Sequence, residues 1–450
     1  MTIAPSWKQL LRYVIPAASA MVLFSLYTVI DGVLVSHGVS ESALTSVNIS
    51  LPFINALSGL SILLSMGAST LCAFALGRGN KKEAEEIFTQ TVAVMCVLSV
   101  LITVGVLLFA EELATLLGAG PHTIDNAVDY LRIVSLFSIC FILSYCLEVM
   151  VKVDDSPILA TAGVAVSAVV HVGLAYVFIF HFHWGVKGGA LATGLAQLGS
   201  LLLFLHYFLK GKSDMKFRKF KFHPKIFLRI LPLGVADCSI EFMLGFLTII
   251  YNNVLFRLFG ESHQTIYAVI AYLSLVVFMI MQGIAQGMMP LVSLAVGKGD
   301  QKTIRFYFTR SLLMAAAVEV LLVAVCQLFP QVFVTILLSH DSPLFAQAVS
   351  ALRQYSLSYL LAGLNILLAG YFTALGRGVA SCLLSLSRGF VLLPASIFLL
   401  SQVGSGQGIW IAALIGEGLS LLLGLVLLKK THGAPAALPE ADCDHKVAAA

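Results

Sequence analysis

Acidic side chains stand inside two otherwise apolar stretches of the sequence. Asp31 lies in SLYTVIDGVLVSHG (25–38), and Asp237 and Glu241 lie in LPLGVADCSIEFMLGF (231–246). On a helix, a spacing of four residues places Asp237 and Glu241 on one face. A carboxylate in a membrane helix costs about 2.5 to 3.5 kcal/mol on insertion scales, so a functional role is expected. The predicted chemistry is binding of a cation or uptake and release of a proton; an interfacial Asp31 that reaches water is the alternative.

The composition identifies a membrane protein. The chain has 450 residues, of which 59% are apolar and 11% charged, and its mean hydropathy is +0.96. These values exclude an ordinary soluble domain. Apolar segments of about 20 residues, each long enough to cross the bilayer as a helix, recur along the chain and predict an all-α polytopic membrane protein with about twelve transmembrane helices. The predicted spans are 12–36, 46–76, 87–110, 128–151, 157–181, 188–209, 230–258, 265–296, 306–329, 349–375, 380–402 and 408–429.

Basic residues in the breaks between spans predict the orientation. With an internal N-terminus, the cytoplasmic breaks hold Arg78, Lys81, Lys82, Lys152, the cluster 210–225, Lys298, Lys302, Arg305, Arg377, Lys429 and Lys430. The opposite breaks and nearby helix ends hold Arg132, Lys187, Arg257 and Arg353. By the positive-inside rule both termini are cytoplasmic, in a multi-pass protein of the inner or plasma membrane. The first span is too long for a cleavable signal peptide.

The two halves of the chain resemble each other. GASTLCAFALGRGNKKEA (67–84) aligns with GMMPLVSLAVGKGDQKTI (287–304) at an offset of about 220 residues. Six spans per half give parallel repeats, an arrangement that suits a transporter whose lobes rock. The predicted domains are an N-terminal lobe (1–209), a basic cytoplasmic linker (210–229), a C-terminal lobe (230–430) and a disordered tail (431–450). The GRGN and GKGD motifs lack a Walker pattern, so we predict that glycine ends one helix and that Asn80 or Asp300 caps the next.

Together these motifs resemble the multidrug and toxic compound extrusion (MATE) family. The resemblance covers the chain to about residue 430. It implies a twelve-helix, two-lobed exporter, not an enzyme, that exchanges a lipophilic and cationic drug-like substrate for H⁺ or Na⁺. It also implies a monomer in the lipid bilayer with no cofactor, no metal and no nucleic-acid partner. The matching stretches are QGIAQGMMPLVSLAVGKGD (282–300), ALGRGNKKEA (75–84), VIDGVLVSHG (29–38) and FIFHFHWGVKGGALATG (178–194).

The resemblance implies a cation-coupling site in the first lobe. Asp31 matches the acidic residue of the family's first helix, which relatives surround with Asn and Asp on helix 5 and Thr on helix 6. Here those three positions are His171, Ala175 and Thr193. Losing two oxygen ligands disfavours Na⁺, whereas imidazole titrates at about pH 6.5, so protons are the expected coupling ion. A His171 that is only a core residue is the alternative.

A substrate or secondary cation site is expected in the second lobe. Glu241 matches an acid that some relatives use in cation or substrate binding, and Asn365 lies on the helix where another group of relatives has an acid. With Asn55 and Gln282 they form the predicted site, and Asn48 and Gln286 are further candidates for a polar lining. Glu319, Arg388 and Glu417 are also deep; structural ion pairs and a transport role are the two interpretations.

Two other functions fit the composition. A lipid or oligosaccharide-lipid flippase of the wider superfamily would need several basic residues in its cavity, whereas the deep charges here are mostly acidic. A membrane-embedded enzyme could use His181 and His183 to hold a metal, but no third ligand occurs at a recognisable spacing. Interfacial aromatic and histidine side chains explain that stretch better.

Overall fold

The computed structural model describes residues 5–38, 41–121, 123–210, 213, 215–338, 340–403 and 408–431, without the side chains of 26–38, 41–45, 48, 261, 262, 336, 337 and 431. These residues form two six-helix lobes with no β-strand among them. The helices of the first lobe are α1 (Trp7–Gly38), α2 (Glu41–Gly77), α3 (Lys81–Leu108), α4 (Ile124–Leu136 and Ser138–Val153), α5 (Pro157–Tyr176, extended by Val177–His181) and α6 (Gly185–Leu209). Those of the second lobe are α7 (Lys225–Phe259), α8 (Glu261–Gly297), α9 (Gln301–Leu328), α10 (Phe345–Ser356 and Tyr359–Ala374), α11 (Gly378–Ser387, Arg388–Leu392 and Leu393–Leu400) and α12 (Ile409–Thr431).

Every predicted span corresponds to one of these helices. Within the described residues, nine helices are long and apolar enough to cross a membrane, and the two bent pairs raise that number to eleven. The remaining helix is α1, with 32 residues. Each backbone polar group in hydrocarbon must be bonded within its own segment, which is why a long apolar run folds as a helix. The prediction of a polytopic all-α protein is confirmed.

The two lobes repeat each other's irregular features. A short helix follows α3 (Ala110–Leu116), and another follows α9 (Pro330–Leu337). The two parts of α4 meet at an angle of 49° and those of α10 at 41°. Both α5 and α11 contain a five-residue π-helical turn. The repeat therefore extends beyond the sequence motifs to the places where helices bend.

The repeated glycines bring the lobes into contact at one end of the bundle. A Cβ atom on Gly77 would lie 2.8 Å from the Cα of Gly297, and one on Gly297 would lie 2.9 Å from the Cα of Gly77. This reciprocal approach places the local two-fold axis between them. At the same end, the Tyr307 hydroxyl donates to Gln9 Oε1 at 2.7 Å, which ties α9 to α1. We call this region the Gly77 end.

The two glycine motifs end and restart helices as predicted. Gly79 and Gly299 have positive φ angles of 78° and 70°. Asn80 Oδ1 then accepts the Glu83 N–H at 3.3 Å, and Asp300 Oδ1 accepts the Thr303 N–H at 3.1 Å. Both contacts satisfy a backbone donor that the first helical turn leaves without a partner. Hydrogen bonds from Thr303 also hold the pKa of Asp300 below its usual range.

The interlobe segment lies along α3. Phe217 packs against Phe88 with ring centroids 4.9 Å apart, and Arg218 Nη1 lies 3.4 Å from Glu85 Oε2. The helix that follows begins at Lys225, inside the predicted linker 210–229. The described linker residues are thus held by aromatic packing and charge pairing to the first lobe.

Candidate functional site

A cavity lies between the lobes, lined by residues of α1, α2, α4, α5, α6, α7, α8 and α10. The volume accessible to the centre of a water molecule is about 180 Å³. Its apolar wall includes Met21, Phe24, Phe141, Met279 and Phe278. Its polar and acidic lining consists of Ser58, Ser61, Ser144, Tyr145, Glu148, Ser167, Gln197, Ser200, Asp237, Glu241, Gln282 and Gln286. A mostly apolar cleft with a few polar groups is typical of a small-molecule site.

The cavity continues away from the Gly77 end. A second cavity of about 1040 Å³ shares Met243, Leu244 and Phe278 with the first. Leu51, near the start of α2, lines this second cavity, whereas Gly77 ends the same helix. The accessible space therefore widens toward the end of the bundle opposite the glycine contact.

Two predicted site residues, Glu241 and Gln282, both line the central cavity. Gln282 Nε2 donates to Asp237 Oδ1 at 3.1 Å, which joins α8 to α7. Asp237 is 7% exposed and lies one helical turn before Glu241. These two carboxylates give the α7 wall of the cavity an acidic face that can attract cations.

A third carboxylate in the cavity, Glu148, was missed from the sequence. Lys152 Nζ lies 2.7 Å from Glu148 Oε1 and 3.3 Å from Gln286 Oε1, and the exposures of Glu148 and Lys152 are 7% and 3%. The placement of Lys152 in a cytoplasmic break was wrong: it lies in the last turn of α4, turned into the protein. The available signal was an acidic and a basic residue four apart at the edge of a predicted span.

In the first lobe, His171 and Thr193 are brought together as predicted. His171 Nε2 lies 3.2 Å from Thr193 Oγ1, and both residues are buried. The Thr193 hydroxyl donates its proton to the Gly189 carbonyl at 2.9 Å, so its oxygen accepts from His171. This assignment requires a proton on Nε2 of the imidazole. Their predicted partner, the Asp31 side chain, lies outside the described residues.

A contact between α1 and α5 shows how far along α1 the Asp31 position lies. The Thr161 hydroxyl donates to the Pro16 carbonyl at 2.7 Å. Both helices run in the same direction from that contact and rise about 1.5 Å per residue. Position 31 on the backbone of α1 is therefore about 7 Å farther along the bundle than His171, if both helices stay straight. A water molecule or a bend in α1 is needed to link the two groups.

The deep charges of the second lobe lie close together on α9 to α12, and Arg388 and Glu417 line the second cavity. Arg388 Nε and Nη2 donate to the two carboxylate oxygens of Glu417 at 2.9 and 2.7 Å. Asn365 Nδ2 also donates to Glu417 Oε2, at 2.7 Å. Glu319 Oε1 accepts the Leu364 N–H at 3.2 Å. For Arg388 and Glu417, this geometry fits the interpretation as a structural ion pair. Asn365, which was predicted to line the substrate or secondary cation site, bonds to Glu417 and does not line the central cavity.

The remaining predicted lining residues have different positions. Asn55 is exposed and lies on the same face of α2 as Leu51 and Ser58, which line the two cavities. Gln286 lies at the central cavity as expected. The side chain of Asn48 lies outside the described residues.

The His181 and His183 region is an aromatic cluster. Trp184 stacks on Phe178 and Phe182 with centroids 5.1 and 5.3 Å apart, and His181 contacts the edge of Phe182. Among the described residues no group of three His, Cys, Asp or Glu side chains could hold a metal ion. Nothing in this part of the chain supports the metalloenzyme alternative.

Comparison with known proteins identifies the family. The MatE family model matches residues 16–177 and 238–397, one segment in each lobe. The chain belongs to the MatE family. The chain is 22% identical to the Staphylococcus aureus (strain bovine RF122 / ET3-1) multidrug export protein MepA over 94% of both chains. Its fold is similar to that of a MATE protein in complex with MaL6 (TM-score 0.89, 20% identity, 95% of this chain and 96% of that chain). It is also similar to the outward-facing conformation of a multidrug resistance MATE family transporter of the MOP superfamily (TM-score 0.88, 20% identity, 95% and 96%).

This membership confirms the family expected from the sequence motifs. The MatE protein described here is a multi-pass membrane transporter and not an enzyme. The matched segments contain five helices of each lobe and most of the residues that line the cavity between them, but not Gln197, Ser200 or Asp237.

Proposed function

We propose that this MatE protein is a secondary active antiporter that exports lipophilic cationic drugs or metabolites in exchange for protons. The observation that carries the proposal is the charge of the central cavity. Glu148, Asp237 and Glu241 supply three carboxylates, whereas Lys152 is the basic residue that contacts them among the described side chains. The aromatic and methionine side chains of the wall supply an adaptable apolar surface for ligands of different shapes.

Protons are the proposed coupling ion, with Asp31, His171 and Thr193 as the coupling site. His171 stands 3.2 Å from the Thr193 hydroxyl in place of an oxygen ligand, and an imidazole is a poorer ligand for Na⁺ than an oxygen. An imidazole in the same lobe as a carboxylate can exchange protons at physiological pH. Protonation of Asp31 removes its charge and allows α1 to pack closer to its lobe, a local event that biases a two-state element.

The contact at the Gly77 end supports alternating access. With both termini in the cytoplasm, as the basic residues predict, that end is the inner one and the cavities open outward. The lobes then rock about the glycine contact, and proton and substrate occupy the protein in turn. The protein is proposed to act in the inner or plasma membrane as a monomer, with no cofactor.

Transport by purified protein in proteoliposomes tests this proposal. Ethidium export should follow an imposed H⁺ gradient and not a Na⁺ gradient, and Asp31→Asn should abolish gradient-driven export while ethidium still binds. Glu112→Gln, which neutralises an exposed carboxylate on the short helix after α3, is the matched control. Export by Asp31→Asn at the wild-type rate would refute the coupling role. Scrambling of a fluorescent lipid without ethidium export would favour the flippase.

His171 has its own test in the same assay. His171→Asn restores the residue that relatives have at this position. Because an amide does not titrate, we expect the pH dependence of export to change more than the maximum rate. An unchanged pH profile would leave His171 as a core residue.

A further inference from the structure

The Glu148–Lys152 pair separates the central cavity from a smaller one. Glu148 and Gln286 line the central cavity, whereas Lys152 and Gln286 line a cavity of about 20 Å³ toward the Gly77 end. A cavity of that size has room for about one water molecule. Lys152 therefore lies at the floor of the central cavity and bonds to both lobes, to Glu148 of the first and Gln286 of the second.

The pair has the geometry of an exchangeable contact. Lys152 makes a single bond to one oxygen of Glu148, and a lysine ammonium is a compact charge on a flexible stem. Ser69 and Ser293 line the small cavity beside Lys152 and offer hydroxyl groups that can accept hydrogen bonds if the ammonium moves. Lys152 thus has other partners within its own surroundings.

We propose that Glu148 is a cation-binding carboxylate of the central cavity, that Lys152 occupies it in the empty transporter, and that a lipophilic organic cation displaces Lys152. This inference rests on the proposed export of cations. Replacing one cation by another on Glu148 never leaves a buried carboxylate without a counter-charge, which is the costly state. When Lys152 moves, the hydrogen bond to Gln286 breaks, so substrate binding removes a contact between the lobes.

Lys152 is then a competitor that lowers the affinity for substrate. If Lys152 occupies Glu148 for about nine-tenths of the time, its removal raises the apparent affinity about tenfold. Removal of an ordinary structural ion pair would instead leave the affinity unchanged or reduce it. The sign of the change separates the two roles.

The experiment measures ethidium binding to the full-length protein in detergent by fluorescence. Lys152→Gln should tighten binding about tenfold, Lys152→Arg should bind no more tightly than the wild type because a guanidinium holds the carboxylate at least as firmly, and Glu148→Gln should weaken binding. In the Glu148→Gln background, adding Lys152→Gln should have no effect, because the competition requires the carboxylate. Lys187→Gln is the matched control, since Lys187 forms an exposed ion pair with Asp129, 3.0 Å away, on the same two-lobe scaffold.

Each outcome decides the matter. Unchanged or weaker binding by Lys152→Gln overturns the proposal, and so does equal tightening with and without Glu148, which would indicate general charge repulsion. If Lys152→Gln fails to fold, Lys152→Met is measured instead, with and without Glu148→Gln. Tighter binding only when Glu148 is present supports competition at that carboxylate, and any other result overturns it. Absence of ethidium binding by the wild type would instead contradict the proposed function.

Discussion

The two buried ion pairs of this transporter differ in how completely their charges are bonded. Arg388 and Glu417 join α11 to α12 through two parallel hydrogen bonds, and Asn365 of α10 adds a third. Glu148 and Lys152 lie on one helix and share one short bond; Glu148 lines the central cavity, and Lys152 lines the small cavity beside it. The Arg388–Glu417 pair lies within one lobe, at the edge of the second cavity, whereas the Glu148–Lys152 pair lies where the lobes meet.

This difference shows how the same chemistry serves two purposes. A guanidinium that meets a carboxylate with two bonds fixes the relative position of the helices that carry them. A lysine with a single bond can leave its carboxylate if another cation arrives. Buried pairs of opposite charge therefore give a rigid network within the second lobe and an exchangeable contact where the lobes meet.

The largest expected effect is the loss of stability when the Arg388–Glu417 pair is broken. Arg388→Gln leaves Glu417 buried without its counter-charge, so we expect a loss of about 3 to 5 kcal/mol in stability. Arg388→Met/Glu417→Leu removes both charges and should be closer to the wild type. Thermal unfolding in detergent measures both. An equal loss in the single and double variants would show that packing, not charge, decides the stability.

A smaller loss of stability is expected when the Glu148–Lys152 pair is broken. Lys152→Gln removes one short bond to Glu148, whereas Arg388→Gln removes two from Glu417, so the expected loss is about 1 to 2 kcal/mol. Hydrogen exchange should rise at the Gly77 end, in residues 66–77 and 287–297, because the contact with Gln286 is weakened. Arg388→Gln should raise exchange in α10 to α12 instead. The same exchange pattern for both variants would contradict the distinction.

Glu241, like Asp237, is a cavity carboxylate for which no ion pair occurs among the described residues. Glu241→Gln keeps the volume of the side chain and removes its charge. At a separation of about 4 Å in a wet cavity that charge contributes about 1 kcal/mol, so ethidium affinity should fall about fivefold. Chloramphenicol, a neutral ligand, serves as the comparison. An equal loss for both ligands in a folded protein would argue against a charge role.

The smallest expected effect is a difference in pH dependence between the helix caps Asp300 and Asn80. Because the pKa of Asp300 is lowered in the folded state, its contribution to stability is present above the ordinary aspartate pKa. It is lost as the pH falls through the folded-state value. The protection of the Thr303 amide against exchange should then fall in acid, whereas that of the Glu83 amide, beside the neutral cap Asn80, should not change for this reason. Equal acid sensitivity of the two positions would contradict this assignment.

Local features of the sequence determined the helices and their ends. Each apolar run must satisfy its own backbone in hydrocarbon, so the twelve spans could be located without knowing their neighbours. The glycine motifs were equally readable, since a positive φ and the cap that follows depend on a few adjacent residues, as at Gly79 and Asn80. The contact between His171 and Thr193 was expected through the family resemblance.

Tertiary structure alone decided which charges meet. The sequence predicted Lys152 in a loop because the apolar run of α4 ends just before it. In the structure Lys152 lies in the last turn of α4, where its side chain bonds to Glu148 and to Gln286 of the opposite lobe. Asn365 was expected in a cation site, and the structure bonds it to Glu417 of α12. Such pairings depend on the rotation of each helix about its axis and on the helix packed beside it. Hydropathy determines neither the rotation of a helix nor its neighbour, because it measures only the average apolar character of a segment.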